Sequence, residues 1–347
     1  MIKNSKKKPA ILVVCAPFFS YHESIIDELE SRGLGVVWWS DRISENSLYK
    51  ILLRCFPAIV AKLSSGSFAS KVNLLEAKFI RDVLVVKGEG LSVAAIKVLR
   101  NSMPEARFHF YLWDGIENVR NAAKIAPLFD TVSSFDPEDS KRFGWHYRPL
   151  FASNAWVVPQ VANDRGEHDW VFIGSLHSDR YKILKRLVLN SSHLRSFVYG
   201  FIPGKLAWWL RHLTDWTLWQ PGTIKISTVP LTPNMVREIV DKARAAIDIE
   251  HPRQRGLTMR TIETLMSHRK LITTNSRIRD TDLFDESRVC IIDRNNPVIP
   301  EDFLNTPFLP LASSIRERYS ITGWANEILD HANSPMARVF EKSPDRN

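Results

Sequence analysis

Through residues 1–150, short apolar runs alternate with stretches whose apolar residues recur every three or four positions. Unbroken or period-two apolar runs predict strands, and the 3.6-residue period predicts helices. Ala10–Ala16, Gly35–Trp39, Val83–Lys87, Phe108–Trp113 and Thr131–Ser134 are the expected strands. Helical patterns separate them at His22–Arg32, Ser47–Lys62, Val72–Ile80, Ser92–Asn101 and Ile116–Ala126. Asp136-Pro137-Glu138-Asp139 then supplies an N-cap, a proline at the first helical position and acids in the first turn. Such alternation builds a parallel sheet covered by helices on both faces.

From Tyr147 to Asp169 no period is sustained; Pro149 and Pro159 interrupt the chain, and the polar run Asn163–His168 closes it, which marks a domain boundary. The alternation then restarts with strand Trp170–Ile173, helix Arg180–Leu189, strand Ser196–Tyr199, a tryptophan-rich segment, strand Ile224–Thr228, helix Asn234–Arg244 and strand Ala245–Ile249. A chain of 347 residues exceeds the usual size of one core. The expected fold is α/β, with two Rossmann-like doubly wound domains facing a cleft. Residues 1–150 form the first, 151–168 the linker and 169–312 the second, while 313–347 form a helix and tail packing back towards the first. Ligands of such sheets sit beyond the carboxyl ends of the strands, so the loops there carry the candidate chemistry.

The densest of these loops follows Ala245–Ile249. It holds Glu250, His251, Arg253, Arg255, Gly256 and Leu257, and Thr258 is placed to N-cap a helix reaching about His268. The free N–H groups and positive dipole end of that helix suit an anion, and so do the arginines before it. Met259, Ile262 and Met266 share one inward stripe, and the spacing puts Glu263 on or beside it. Its carboxylate then needs a partner, which is either a ligand hydroxyl or Arg260 three residues earlier, unless it turns out to solvent.

Composition adds less. Hydrophobic residues at 44% and charged residues at 24% are ordinary for a folded protein, and the formal charge of +9 implies an acidic partner without naming one. Cys15, Cys55 and Cys290 lie far apart in apolar runs, as expected of buried thiols in a reducing compartment, and no zinc spacing exists. Apolar stretches such as Ile11–Phe19 are too short to cross a bilayer, so a cytoplasmic protein, soluble or at the inner face of the membrane, is expected. No recognition motif or basic helix supports nucleic-acid binding.

Other loops offer titratable groups. His22 and Glu23 begin a helix after the first strand, Glu89 stands between Gly88 and Gly90, and Asp114 precedes Gly115. His22 is a candidate proton acceptor, and Glu89 suits either a ligand approach or a turn, since acids in first turns and glycines in tight turns also serve structure alone. Gly174-Ser175 ends a strand before Arg180 opens a helix, a turn that suits either a phosphate or a simple cap. Trp208, Trp209, Trp216 and Trp219, interleaved with Lys205, Arg211 and His212, fit a membrane interface, a polysaccharide surface or a buried aromatic cluster. Asp280-Thr281-Asp282 has the spacing to hold a divalent ion but reads better as a solvated turn, so no essential metal or other cofactor is expected.

Tyr111-Leu112-Trp113-Asp114, Phe135–Asp139, Tyr147-Arg148-Pro149-Leu150, Phe172-Ile173-Gly174-Ser175 and Gly256–Glu263 together resemble GT-B type glycosyltransferases, in particular the CgeB-like or group 1-like proteins of bacterial capsule and lipopolysaccharide biosynthesis. That resemblance implies a nucleotide-sugar donor, a saccharide or lipid-linked acceptor, peripheral contact with anionic membrane, and no nucleic acid. It implies a ribose contact for Glu263, a phosphate-binding turn at Gly256, Leu257 and Thr258 backed by Arg253, Arg255 and Arg260, and a base-packing loop at Val229-Pro230-Leu231. Gly174, Ser175, Arg180, Tyr199, Glu250 and His251 complete the implied donor site, and His22, Glu23, Glu89 or Asp114 would take the acceptor's proton. The family pattern has another glutamate eight residues before the one matched by Glu263; Arg255 stands there in this chain.

Overall fold

The computed structural model describes residues 10–44, 46, 66–73, 75, 77–119, 121–157, 166–202 and 224–330. The expected helix Ser47–Lys62, the tryptophan-rich segment 205–219, most of the polar run before His168 and Cys55 lie outside these residues. The chain divides into two compact units: one runs to Pro149 and takes the chain back from Ile321, and the other is Leu150–Ser320.

In the first unit six parallel strands stand in the order β2 (Gly35–Trp39), β1 (Ala10–Val14), β3 (Ile80–Val86), β4 (Arg107–Leu112), β5 (Thr131–Ser134) and β6 (His146–Tyr147). A strand covered on both faces must be apolar throughout, and β1 obeys this: Ile11, Leu12, Val13 and Val14 are all buried. Leu12, Val14, Val83 and Val85 join Ala95, Ile96 and Leu99 of the helix Val93–Ser102 in one core. Each such side chain contributes roughly 1.5–3 kcal/mol by burial. The terminal helix Ile321–Asp330 completes this unit. Trp324 packs edge-on against Tyr111 at 5.3 Å, Glu327 pairs with Arg148 at 3.1 Å, and Thr322 donates to Glu28.

The second unit repeats the plan with β12 (Val289–Ile291), β11 (Lys270–Thr273), β10 (Ala243–Asp248), β7 (His168–Ser175), β8 (Ser196–Phe201) and β9 (Lys225–Ser227), all parallel. Its core joins Trp170, Phe172, Ile247 and Ile272 to Ile183, Leu184 and Leu187 of the helix Arg180–Asn190. In both units the first strand pairs on either side, β1 with β2 and β3, β7 with β8 and β10. The chain reverses its direction of travel across the sheet at those strands, and loops diverging at such a point leave a crevice for ligands.

Four expectations change. The helix expected over Val72–Ile80 gives way to a 3-10 turn at Ala77–Phe79 and to β3, which opens at Ile80, three residues before the expected strand. The helix expected over Ile116–Ala126 is confined to Ala122–Ile125. Side chains from elsewhere take the backbone groups a longer helix would use: Asp139 accepts from the Ile116 N–H, and Asn121 donates to the Gly88 carbonyl 3.0 Å away. The helix expected to reach His268 stops at Met266, because His268 turns left-handed with φ 55°. The strands β1, β3 and β4 each end one or two residues early. Lys87, at φ 66°, turns the chain directly after β3.

Candidate functional site

At the carboxyl edge of the second sheet, β10 ends in Asp248, a buried carboxylate satisfied by two hydroxyls. Thr258 Oγ1 donates to its Oδ2 at 2.7 Å and Thr261 Oγ1 at 2.6 Å. Thr258 Oγ1 also accepts from the Thr261 N–H at 3.2 Å, so the residue caps the helix Met259–Met266 while anchored to the strand. Earlier N–H groups of that first turn have no intrahelical acceptor and mark an anion-seeking end. Arg253 and Arg255 are exposed in the loop before it.

Two arginines organise the crevice between β7 and β10. Arg180 donates from Nε to the Ile249 carbonyl and from Nη1 to the Ser175 carbonyl at 3.0 Å, tying together the ends of the two strands. Arg294, just beyond β12, places Nη2 3.0 Å from Glu250 Oε1 and Nη1 3.6 Å from Asp179. Glu250 also accepts from Thr274 Oγ1, yet burial still pushes its carboxyl above the usual range. His251 Nδ1 accepts from the Arg253 N–H at 3.2 Å, so the neutral ring carries its proton on Nε2. Burial first, then Arg253 and Arg180, hold its pKa below the ordinary histidine value. The rings of His251 and His177 lie 5.5 Å apart.

Glu263 is 2% exposed and ion-paired with Arg260 at 3.0 Å, while the Arg260 guanidinium also lies 5.2 Å from the centre of the Trp156 ring. The local partner anticipated from spacing is thus present. Tyr199 donates to the Val229 carbonyl at 2.7 Å, joining the end of β8 to the loop of Pro230 and Leu231. The structure therefore gathers Gly174, Ser175, Arg180, Glu250, His251 and Arg253 along one edge, and Gly256, Leu257 and Thr258 lead from it into the helix. Leu257 is buried and serves packing.

The first unit holds a second cluster at the corresponding edge. Lys87 Nζ lies 3.0 Å from Asp114 and 3.3 Å from Glu89, and Arg42 Nη2 lies 2.8 Å from Glu89. Burial alone would lower the Lys87 ammonium; Asp114 and Glu89 outweigh it and hold its pKa above the usual range. Beneath them Asp41 is fully buried. Burial raises its carboxyl to about 6 although Arg42 and the Gly90 N–H, 3.4 Å from its Oδ2, oppose the shift. Residue 90 must be glycine, since a Cβ there would sit 2.1 Å from the Asp41 carbonyl oxygen. His22 belongs to a different set of contacts: its Nε2 is 4.0 Å from Glu23, its ring is 5.1 Å from Trp38, and its buried Nδ1 has no hydrogen-bond partner among the described residues.

Sequence reasoning missed Arg294, Thr274, Asp41 and Arg42. Arg294 follows a three-residue strand too short to announce itself, and Asp41 and Arg42 lie in a loop whose partners are 47 and 49 residues away. Asp282 pairs with Arg318 and accepts from Tyr319 Oη at 2.7 Å. Among the described residues no group of three histidines, cysteines or acids is placed to hold a metal ion, and no helix is long and apolar enough to cross a membrane. Cys15 and Cys290 are buried free thiols, and burial raises Cys290 to about 11.

No protein-family model matches the chain, and no curated protein matches it. Solved structures do. AviGT4, a glycosyltransferase involved in avilamycin A biosynthesis, is 10% identical over 96% of this chain and 98% of its own, with a TM-score of 0.56. Anabaena HepE in complex with UDP-glucose is 12% identical over 93% and 99%, with a TM-score of 0.57. The trehalose-6-phosphate synthase OtsA is 10% identical over 97% and 100%, at 0.53. Identity this low speaks for fold alone. The chain has the GT-B fold, two Rossmann-like units in tandem.

Proposed function

We propose that the chain is a glycosyltransferase that moves a sugar from a nucleotide-sugar donor to a saccharide or lipid-linked acceptor in the assembly of a bacterial surface polysaccharide. The observation that carries this reading is the crevice between β7 and β10. There a capped helix start, the exposed Arg253 and Arg255 and the acid Glu250 lie together at the reversal point of a doubly wound sheet. HepE, similar in fold, is bound to UDP-glucose.

The reaction is displacement at the anomeric carbon: the acceptor oxygen forms a bond to it as the bond to the donor phosphate breaks. Charge then develops on the leaving phosphate. Arg253, Arg255, Arg260 and the first-turn N–H groups of Met259–Met266 are the donors that stabilise that charge without an essential metal, and the N–H groups, held by the helix, do so with little reorganisation. Glu263 is the ribose ligand, its carboxylate aligned by Arg260. For the base, His22 is preferred because Glu89 and Asp114 are engaged with Lys87. Peripheral contact with anionic lipid at the inner face of the membrane rests on the charge of +9.

A second reading, a non-catalytic binding component of a polysaccharide assembly, is favoured by Arg255, which replaces a glutamate of the family pattern. Thermal shift against nucleoside mono- and diphosphates tests both. A donor nucleotide at a hundred times its dissociation constant stabilises the native state by about 2.7 kcal/mol. Stabilisation by one nucleotide, followed by release of that nucleotide from its sugar conjugate when the conjugate is supplied, is expected of the enzyme; binding without turnover marks the second reading, and no nucleotide response overturns both. Activity abolished by a chelator and restored by manganese would overturn metal independence.

A further inference from the structure

Arg260 stands at an electrostatically awkward place. It is the second residue of the helix Met259–Met266, where the positive end of the helix dipole disfavours a cation, and the exposed Arg253 and Arg255 add charge of the same sign just before it. Its ion pair with Glu263, at 3.0 Å, joins two side chains with several rotatable bonds each, and ordering them costs conformational entropy. A guanidinium in that position needs a further restraint to stay turned towards the carboxylate.

Trp156 supplies one. The 3-10 turn Asn154–Trp156, from the stretch expected as a linker, carries a ring that is 5% exposed, and the Arg260 guanidinium lies over it at 5.2 Å. Tryptophan holds a cation better than the other aromatics, and does so more strongly away from water. The ring is itself anchored. Arg237, on the helix Pro233–Asp241, donates to the Ala155 carbonyl, lies 5.3 Å from the centre of the same ring and is held by Asp241 at 2.7 Å. Each guanidinium at the ring therefore has a carboxylate of its own. An aliphatic side chain would fill the same space without holding a charge.

We propose that Trp156 is a positioning residue of the donor site: its ring holds the Arg260 guanidinium, and through it the Glu263 carboxylate, in the orientation that receives the ribose hydroxyls of the nucleotide. The assignment rests on the glycosyltransferase reading, and adds to it a residue from outside the strand, loop and helix that carry the donor groups.

Calorimetry on the full chain, with UDP, GDP, ADP and CDP as probes and the 2′,3′-dideoxy form of each as its control, tests the assignment. Wild type should prefer the hydroxyl-bearing form of one of these nucleotides. Trp156→Leu should cut that preference about tenfold, the value of one charge-assisted hydrogen bond to a carboxylate no longer aligned. Trp156→Phe keeps an aromatic face and should recover most of it. A merely structural tryptophan would lower the melting temperature of the leucine variant and leave the preference alone. Arg237→Gln, which loosens the anchor of the ring without opening the core, should cut the preference in the same direction and carries the test if the leucine variant does not fold. A double-mutant cycle in chemical denaturation, Trp156→Phe with Glu263→Gln, checks the link without any ligand: the two effects should not add. The assignment is overturned if the leucine variant, or Arg237→Gln in its place, keeps the wild-type preference, if phenylalanine is no better than leucine, or if the cycle is additive. Each of these outcomes, with nucleotide binding intact, leaves the donor reading standing. Wild-type binding with no preference for the hydroxyls overturns the assignment too, while binding of none of the four nucleotides overturns the donor reading and the assignment with it.

Discussion

Arg294 Nη2 donates to the Glu250 carboxylate Oε1 at 3.0 Å and to the Glu250 backbone carbonyl at 2.7 Å, and Nη1 donates to the same carbonyl at 3.4 Å. The pair joins the loop after β12 to the loop after β10. Arg294→Ala removes all three of these charge-assisted hydrogen bonds and leaves the Glu250 carboxylate with Thr274. The expected loss is about 1–3 kcal/mol, a drop of several degrees in melting temperature, together with a reduced thermal shift by UDP. Glu250→Gln in the same background should recover part of the stability, because the uncompensated carboxylate is gone. A double variant no better than Arg294→Ala would show that the pair does not act as a unit.

Asp41 predicts a pH dependence of its own. Its carboxyl is raised from an ordinary 3.8 to about 6, first by burial. The folded state therefore binds a proton that the unfolded state releases. This contribution is fully present below pH 3.8 and is lost as the pH rises through 6. The shift corresponds to at most about 3 kcal/mol. Asp82, Asp130, Asp169 and Asp285 are shifted down and act in the opposite sense, so the informative quantity is the difference between wild type and Asp41→Asn. The variant keeps an acceptor for the Gly90 N–H and removes the buried charge. It should gain melting temperature relative to wild type between pH 4 and 7.5; equal melting temperatures at both ends would contradict a buried charge at Asp41.

The helix start at Thr258 makes a third test. Thr258→Ala removes the cap on Thr261 and one of the two hydroxyls on buried Asp248, and about 1–2 kcal/mol of stability should go with them. Thr258→Ser keeps the oxygen and should restore most of it in chemical denaturation. If the serine variant is as unstable as the alanine variant, packing of the threonine methyl group, not the cap, is what matters.

How much could be read beforehand follows from where the forces act. β1 and β3 were legible because a central parallel strand is covered on both faces, and the runs at Ile11–Val14 and Val83–Val86 can be little else. The cap at Thr258 was legible because its partner is three residues away. Ile116–Ala126 has helical periodicity, but Asp139 and Asn121 divert its backbone through contacts no local pattern records. Lys87 stood in plain view beside Glu89; that it also binds Asp114, 27 residues on, depends on β3 and β4 lying side by side. Arg294 reaches Glu250 across 44 residues from the end of a strand of three.

Glu263 carries the last prediction, because burial and function make different demands on it. It is 2% exposed and 3.0 Å from Arg260, so removing its charge leaves a guanidinium facing apolar surroundings beside Trp156. Breaking a buried pair costs roughly 3–5 kcal/mol, and the partial exposure of Arg260 places this case at or below the lower end. Glu263→Ala should accordingly melt several degrees lower, a change that by itself says nothing of ribose. Glu263→Gln keeps the volume and one acceptor oxygen and should lose much less stability. Under the donor assignment it should still weaken UDP binding in calorimetry by about tenfold, the value of one charge-assisted hydrogen bond, while binding of inorganic pyrophosphate, which has no ribose, stays unchanged. Parallel loss for both ligands would make Glu263 a structural anchor of the helix and leave the ribose to another residue.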